Sequence, residues 1–254
     1  FHHAGDAERE RVLGVVPQLV RPPGETDIAD IASRLQTDLG FARVVYTENH
    51  DETAYRENGP SYQRLISDAD EDDPHSLLAR RKSALAAVLT LTAPGVPFIF
   101  MGQELLETKQ FHDSKPLEWD RGDVSERSTK LFKDLIHLRR NLDGRGAALQ
   151  DTKIRIMEQD TDKQLLVYRR FLAGRPEEDI VAVVNFSPNP LENVPVVFPR
   201  PAKWELLLNT DDPQYGEGFT GVAAAASDED GSRRMVSLAP FSAQIYGIAK
   251  DGSR

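Results

Sequence analysis

The chain contains no cysteine. That excludes disulfide staples and thiolate metal sites, and it permits a cytoplasmic address, the localisation we expect. No apolar run reaches the ~20 residues that span a bilayer, and no signal peptide opens the sequence, so no membrane partner is expected. Basic residues are outnumbered, 31 Lys and Arg against 41 Asp and Glu, for a formal net charge of -10. Such a balance argues against nucleic acid as partner and suits, without selecting, a neutral hydroxyl-rich ligand. Metal patterns are missing too. His2-His3 lacks a zinc-type partner spacing, and the acidic run Asp68-Ala69-Asp70-Glu71-Asp72-Asp73 lacks the ligand spacing and central Gly of a calcium loop. Neither metal nor cofactor is expected.

What remains is a globular composition, 39% hydrophobic and 28% charged over 254 residues, enough for one large domain or two ordinary ones. The sequence is organised around Val44-Val45-Tyr46-Thr47-Glu48-Asn49-His50-Asp51. Its β-branched and aromatic start reads as a buried strand that runs straight into a polar cluster. A His beside a carboxylate suits orientation of sugar hydroxyls or acid/base work. The competing reading is a polar turn capped by Asn and Asp.

Upstream, Asp27 to Leu39 reads as a helix with Ile28, Ile31, Leu35 and Leu39 on one face. Downstream, Glu52 to Asp73 is a polar loop in which Tyr55 and Tyr62 either stack on sugar rings or anchor the loop. Asp73-Pro74 then reads as an N-cap and first helical position, opening a helix that carries Leu77, Leu78, Leu85, Val88, Leu89 and Leu91 and ends at Pro94-Gly95. Val96 to Met101 is a second strand, stopped by Gly102-Gln103-Glu104. Strand, helix, strand predicts a parallel crossover unit in which both strands end on the same side. Asp51 and Glu104 would then face one cleft.

A further helix is expected from about Ser125, with Leu131, Phe132, Leu135, Ile136 and Leu138 apolar and Arg139-Arg140 at its C-terminal end. Beyond residue 147 the pattern changes to seven short strand candidates punctuated by Asn, Pro and Gly, starting near Ile154, Leu165, Ile180, Val194, Trp204, Met235 and Gln244. That predicts an antiparallel β-sandwich.

Several motifs in order resemble the α-amylase superfamily, glycoside hydrolase family 13. Tyr46-Thr47-Glu48-Asn49-His50-Asp51 is similar to that family's fourth signature region at the end of the seventh barrel strand. Ala93-Pro94-Gly95-Val96-Pro97 through Gly102-Gln103-Glu104 is similar to its eighth strand, and Leu131 to Arg140 to the helix that follows. Leu208-Asn209-Thr210-Asp211-Asp212 with Tyr215-Gly216 resembles the β domain carried by 1,4-α-glucan branching enzymes. Phe1-His2-His3-Ala4, which lacks an initiator Met, is similar to a stretch after the sixth strand, as though the sequence starts inside a longer one.

The resemblance implies an α/β portion, residues 1–146, made of the last two strands and helices of a (β/α)8 TIM barrel, and an all-β sandwich at 147–254. It implies an α-glucan or maltooligosaccharide substrate and a retaining mechanism, with branching favoured over an α-amylase-type hydrolysis. Asp51 matches the carboxylate that stabilises the transition state. His50 and Asn49 would bind substrate, and Gln103 and Glu104 would either do so at the cleft rim or form a satisfied pair that supports it from behind. The nucleophilic Asp and acid/base Glu of the family stand upstream of Phe1, so the missing N-terminal barrel half is an expected partner and the chain alone is expected to be inactive. Two rival readings are a non-catalytic glucan-binding or stabilising module and a transport-associated accessory subunit.

Overall fold

A computed structural model of the protein describes residues 16–36, 39–55, 64–119, 122–222 and 231–250. The helical half carries α1 (Val16–Leu19), α2 (Ile28–Leu35), β1 (Val44–Val45), the single turn α3 (His50–Thr53), α4 (Leu65–Ala69), α5 (Leu77–Thr92), β2 (Val96–Pro97) and α6 (Asp123–Arg139). After a 3-10 turn at Ala147–Gln150 come β3 (Ile154–Asp160), β4 (Leu165–Leu172), β5 (Arg175–Asn185), β6 (Leu191–Val197), β7 (Trp204–Asn209), β8 (Arg233–Leu238) and β9 (Ser242–Ile248). These are the seven strands expected from the short runs between Asn, Pro and Gly turns. They form a five-stranded antiparallel sheet in the order β3-β4-β5-β9-β7 and a two-stranded sheet, β6-β8.

The sheet is buried on both faces, which explains why Ile180 to Val184 is apolar without interruption. Leu166, Tyr168, Ile180, Ala182, Val184 and Ile245 point into a core shared with the helices. The residues between them, among them Leu165, Val167, Val181, Val183 and Tyr246, point into a second core against β6 and β8. The period of two sorts alternate side chains between the two cores.

Element boundaries differ from expectation where side chains compete for backbone. The first helix stops at Leu35, and Leu39 is 41% exposed at the start of a 3-10 turn rather than on the helix face. Asp27 caps it, accepting from the Asp30 N–H at 3.0 Å. At α5 the cap is Ser76, whose Oγ accepts from the Ala79 N–H at 3.1 Å, while Asp73 holds the preceding turn through the His75 N–H. From Ala84 to Thr92 α5 carries only Ala, Leu, Val and Thr and is buried all round, as befits a helix end enclosed on all sides. Its C-terminal carbonyls are capped by two buried arginines. Arg139 donates to Ala93 and Gly95 at 2.7 and 2.5 Å, and Arg170 reaches Thr92 from β4. Cations suit a helix C-terminus, and both stay charged near neutrality although burial lowers Arg139 to about 10 and Arg170 to about 9.

β1 and β2 pair in parallel, Val44 with Val96 and Val45 with Pro97. The crossover unit is therefore present, with strands of two residues instead of four to six. Gly95 is required at its start: φ is +129°, and a Cβ would lie 2.7 Å from Val45 Cγ2 and 2.9 Å from the Arg43 carbonyl. Two strands do not close on themselves, and the described residues contain no barrel. Val45 is fully buried, while Val44, Val96, Phe98 and Met101 are exposed.

The two halves share one core and are pinned by the 209–220 segment. Asp211, fully buried, pairs with Arg81 of α5 at 2.6 Å and accepts from the Thr220 hydroxyl at 2.6 Å. Tyr215 donates to Asp134 of α6 at 2.8 Å, and burial beside that carboxylate pushes its phenol far up.

Candidate functional site

The site is built where the turns after β1 and β2 meet. Asn49 is the N-cap of α3, its Oδ1 accepting from the Glu52 N–H at 2.9 Å, and Thr53 Oγ1 donates back to the Asn49 carbonyl at 2.8 Å. The cap therefore fixes a single helical turn and presents His50 and Asp51 at its tip. Their side chains are 66% and 80% exposed, with Nε2 and Oδ1 3.5 Å apart. The turn is tied down behind by two backbone hydrogen bonds between Thr53, Tyr55 and Phe111.

Gln103 does not stand at a free rim. Its Nε2 donates to Thr47 Oγ1 at 2.7 Å and its Oε1 accepts from the Phe100 N–H at 2.8 Å, so it stitches the end of β1 to the end of β2. Glu104 turns back on its own loop, accepting from the Gly102 N–H at 3.0 Å. It borders a groove of about 700 Å³ between Phe98, Phe100 and Met101 on one side and Phe132 and Ile136 of α6 on the other. Asp51 is not among the residues that line this groove. The structure thus brings Gln103 to Thr47, at the end of β1, and sets Glu104 at the edge of the groove.

Sequence reasoning missed Glu48 and Arg64. Glu48 lies beneath the turn and is almost wholly buried, with Oε1 accepting from the Leu65 N–H at 2.6 Å and Oε2 2.9 Å from Arg64 Nε. Burial pushes its carboxyl up to about 7; Arg64 and the Leu65 N–H pull it down, and Asp68 and Glu52 add a smaller upward push. Arg64 donates onward to the Met101 carbonyl at 2.9 Å and lies over the Phe100 ring at 5.1 Å. The only hint in the sequence was an acid at the end of a strand that runs into a core. Tyr55 is exposed beside His112, while Tyr62, His2 and His3 lie outside the described residues. Asp70 and Asp73 of the acidic run accept from backbone N–H groups of their own turn.

With this geometry in hand, the relatives can be placed. Residues 156–249 match the family model of the α-amylase C-terminal all-β domain. The β half is thus similar to that domain. A 1,4-α-glucan branching enzyme of Vibrio parahaemolyticus is 31% identical over 171 residues, which is 62% of this chain and 22% of that enzyme. One from Mesorhizobium japonicum is 27% identical over 167 residues, again 62% of this chain and 22% of the relative. The chain thus spans under a quarter of these relatives' length. Among solved structures, an α-amylase from Geobacillus thermoleovorans, complexed with acarbose, superposes with a TM-score of 0.65 over 94% of this chain and 46% of that one, at 18% identity. A pullulanase from Anoxybacillus, complexed with maltotetraose, gives 0.62 over 96% of this chain and 35% of that one, at 16% identity. The likeness to these structures extends through the helical half and speaks for the fold alone. The resemblance to the C-terminal part of α-amylase-superfamily proteins is borne out.

Proposed function

We propose that the chain is the C-terminal part of an α-glucan-active retaining enzyme, and that its parent carries out 1,4-α-glucan branching. In this reading β1 and β2 are the last two strands of a (β/α)8 barrel, residues 1–146 belong to that barrel, and 147–254 are the sandwich that follows it. The observation that carries the reading is the parallel pair whose joined end turns present Asp51 and His50, in a chain similar to the C-terminal part of branching enzymes. Strand ends are where a barrel places its chemistry.

A retaining enzyme needs one carboxylate to attack the anomeric carbon and another to protonate the leaving oxygen. Both come from the upstream half. Asp51 is the third: it holds sugar hydroxyls at the reacting ring and favours the oxocarbenium-like transition state, with His50 hydrogen-bonded to the same ring. Asn49 and Gln103 shape the turn on which they stand, and Glu104 is the weakest candidate contact. The upstream half also covers the exposed faces of Val44, Val96, Phe98 and Met101 and the groove beside α6. Unpaired strand edges and apolar faces of this kind associate when left open.

The test is incubation with amylose, scoring new branch points against new reducing ends, for the 254-residue chain alone and for a polypeptide that carries upstream sequence. The chain alone should be inert. The longer polypeptide should form branch points, and Asp51→Asn should reduce its rate at least 1000-fold with little change in melting. New reducing ends without branches would convert the reading to hydrolysis. Turnover that survives Asp51→Asn would remove Asp51 from the mechanism.

A further inference from the structure

Beneath the exposed tip lies a buried device that the catalytic reading does not use. The side chain of Arg64 is 1% exposed, and its guanidinium touches two segments distant from its own. Its Nε faces Glu48, the residue that precedes the Asn49 cap, at 2.9 Å. Its Nη2 donates to the Met101 carbonyl in the turn after β2 at 2.9 Å, and its plane covers Phe100. Glu48 in turn holds the Leu65 N–H at the start of α4. The fit is close: a Cβ on Gly102 would come within 3.1 Å of Arg64 Nη2, at a residue with φ of +91°. A flat fork with donors in fixed directions can serve two acceptors at once, which an ammonium on a flexible stem cannot do in the same geometry.

We propose that Arg64 and Glu48 are positioning residues for the site, a buried clamp that holds the Asn49–Asp51 turn and the Phe100–Gln103 turn in one fixed relation. Neither touches substrate; the effect on sugar passes through Asp51 and His50, and that part rests on the function proposed above. The stitch between Gln103 and Thr47 supports the same junction closer to the surface. A charge pair taken out of water is a poor source of stability against well-packed apolar residues, so its place at this junction points to geometry as its contribution.

Hydrogen exchange followed by mass spectrometry tests the clamp on peptides covering 46–55, 64–70 and 99–107, with β5 and β9 as internal references. Arg64→Met should speed exchange about tenfold or more in 46–55 and 99–107 together and leave the references unchanged. Arg64→Lys restores a charge beside Glu48 without the second arm, so 46–55 should recover while 99–107 stays fast. Acceleration confined to 64–70, or spread equally to β5 and β9, overturns the clamp. Should Arg64→Met fail to fold, Glu48→Gln keeps an acceptor for the Leu65 N–H but removes the carboxylate that faces Arg64, and about threefold faster exchange in both turn peptides is expected. No change in either turn would overturn the proposal on that arm. Maltoheptaose binding by the polypeptide that carries upstream sequence separates the two readings. Binding weakened about tenfold by Arg64→Met and partly rescued by Arg64→Lys supports both. Binding absent from the unaltered protein removes the glucan reading and leaves the clamp to be decided by exchange. Binding present and unchanged in Arg64→Met removes the clamp's role in the site.

Discussion

The five-stranded sheet and the parallel pair of this molecule are opposites. The five-stranded sheet is closed in by helices on one face and by β6 and β8 on the other, and Leu165, Val167, Val181 and Val183 on the outer side are as buried as Leu166 and Val184 on the inner. The parallel pair has Val45 buried and Val44, Val96, Phe98 and Met101 exposed. The first sheet owes its order to area removed from water on both faces, roughly 25 cal/mol per Å² of apolar surface. The second is held at its ends, by Gly95, by Gln103 on Thr47 and by Arg64 between Glu48 and Met101. Stability concentrates in one region, and precise placement of exposed polar groups in the other.

Substitutions can break or sharpen this contrast. The largest effect is expected at the joint between the regions. Asp211→Ala leaves Arg81 buried without its carboxylate, which costs about 3–5 kcal/mol and should lower the single melting transition of the whole chain. Two separate transitions in the unaltered protein would show that the halves fold independently. Leu166→Ala, in the doubly covered sheet, should cost about 2–5 kcal/mol by denaturant midpoint.

Acid–base behaviour sharpens the contrast at the buried clamp. Burial raises the Glu48 carboxyl to about 7, above its value in the unfolded chain. The folded state therefore holds that proton more tightly, and the associated stability is complete below about pH 4.5 and lost as pH rises through about 7. Denaturant midpoints measured from pH 5 to pH 8 should fall for the unaltered protein and vary less for Glu48→Gln. Equal slopes would assign the dependence to other groups. Asn49→Ala removes the α3 cap and should cost about 1 kcal/mol, read as faster exchange at Glu52 and Thr53 rather than as a large shift in melting. The smallest effect is expected at Phe98→Ser, under about 0.5 kcal/mol in the chain alone, with less light scattering on concentration. A cost equal to that of Leu166→Ala would mean that this face is covered.

Legibility followed the same division. Ile180 to Val184 and Leu165 to Tyr168 announced strands because short apolar runs rich in β-branched and aromatic residues are local properties. Asn49-His50-Asp51 was legible both as a polar turn and as a site, and the structure shows the turn: Asn49 caps it and the other two stand exposed on it. Leu39 and Asp73 misled because a helix end is settled by competition among nearby side chains, and Ser76 outcompeted Asp73.

By itself the sequence determined the order of elements, the seven strands of the β half, the parallel unit, and the motifs similar to a glucan-active superfamily. Those are properties of spacing along one chain. Tertiary structure decided which polar groups became structural: Glu48 with Arg64, Arg81 with Asp211, Arg139 and Arg170 on the end of α5, and Gln103 on Thr47. It also set Glu104 at the edge of the groove beside α6. The reason is physical. A charge is buried only when its partner is in place, and that partner comes from a distant segment that the local pattern does not specify.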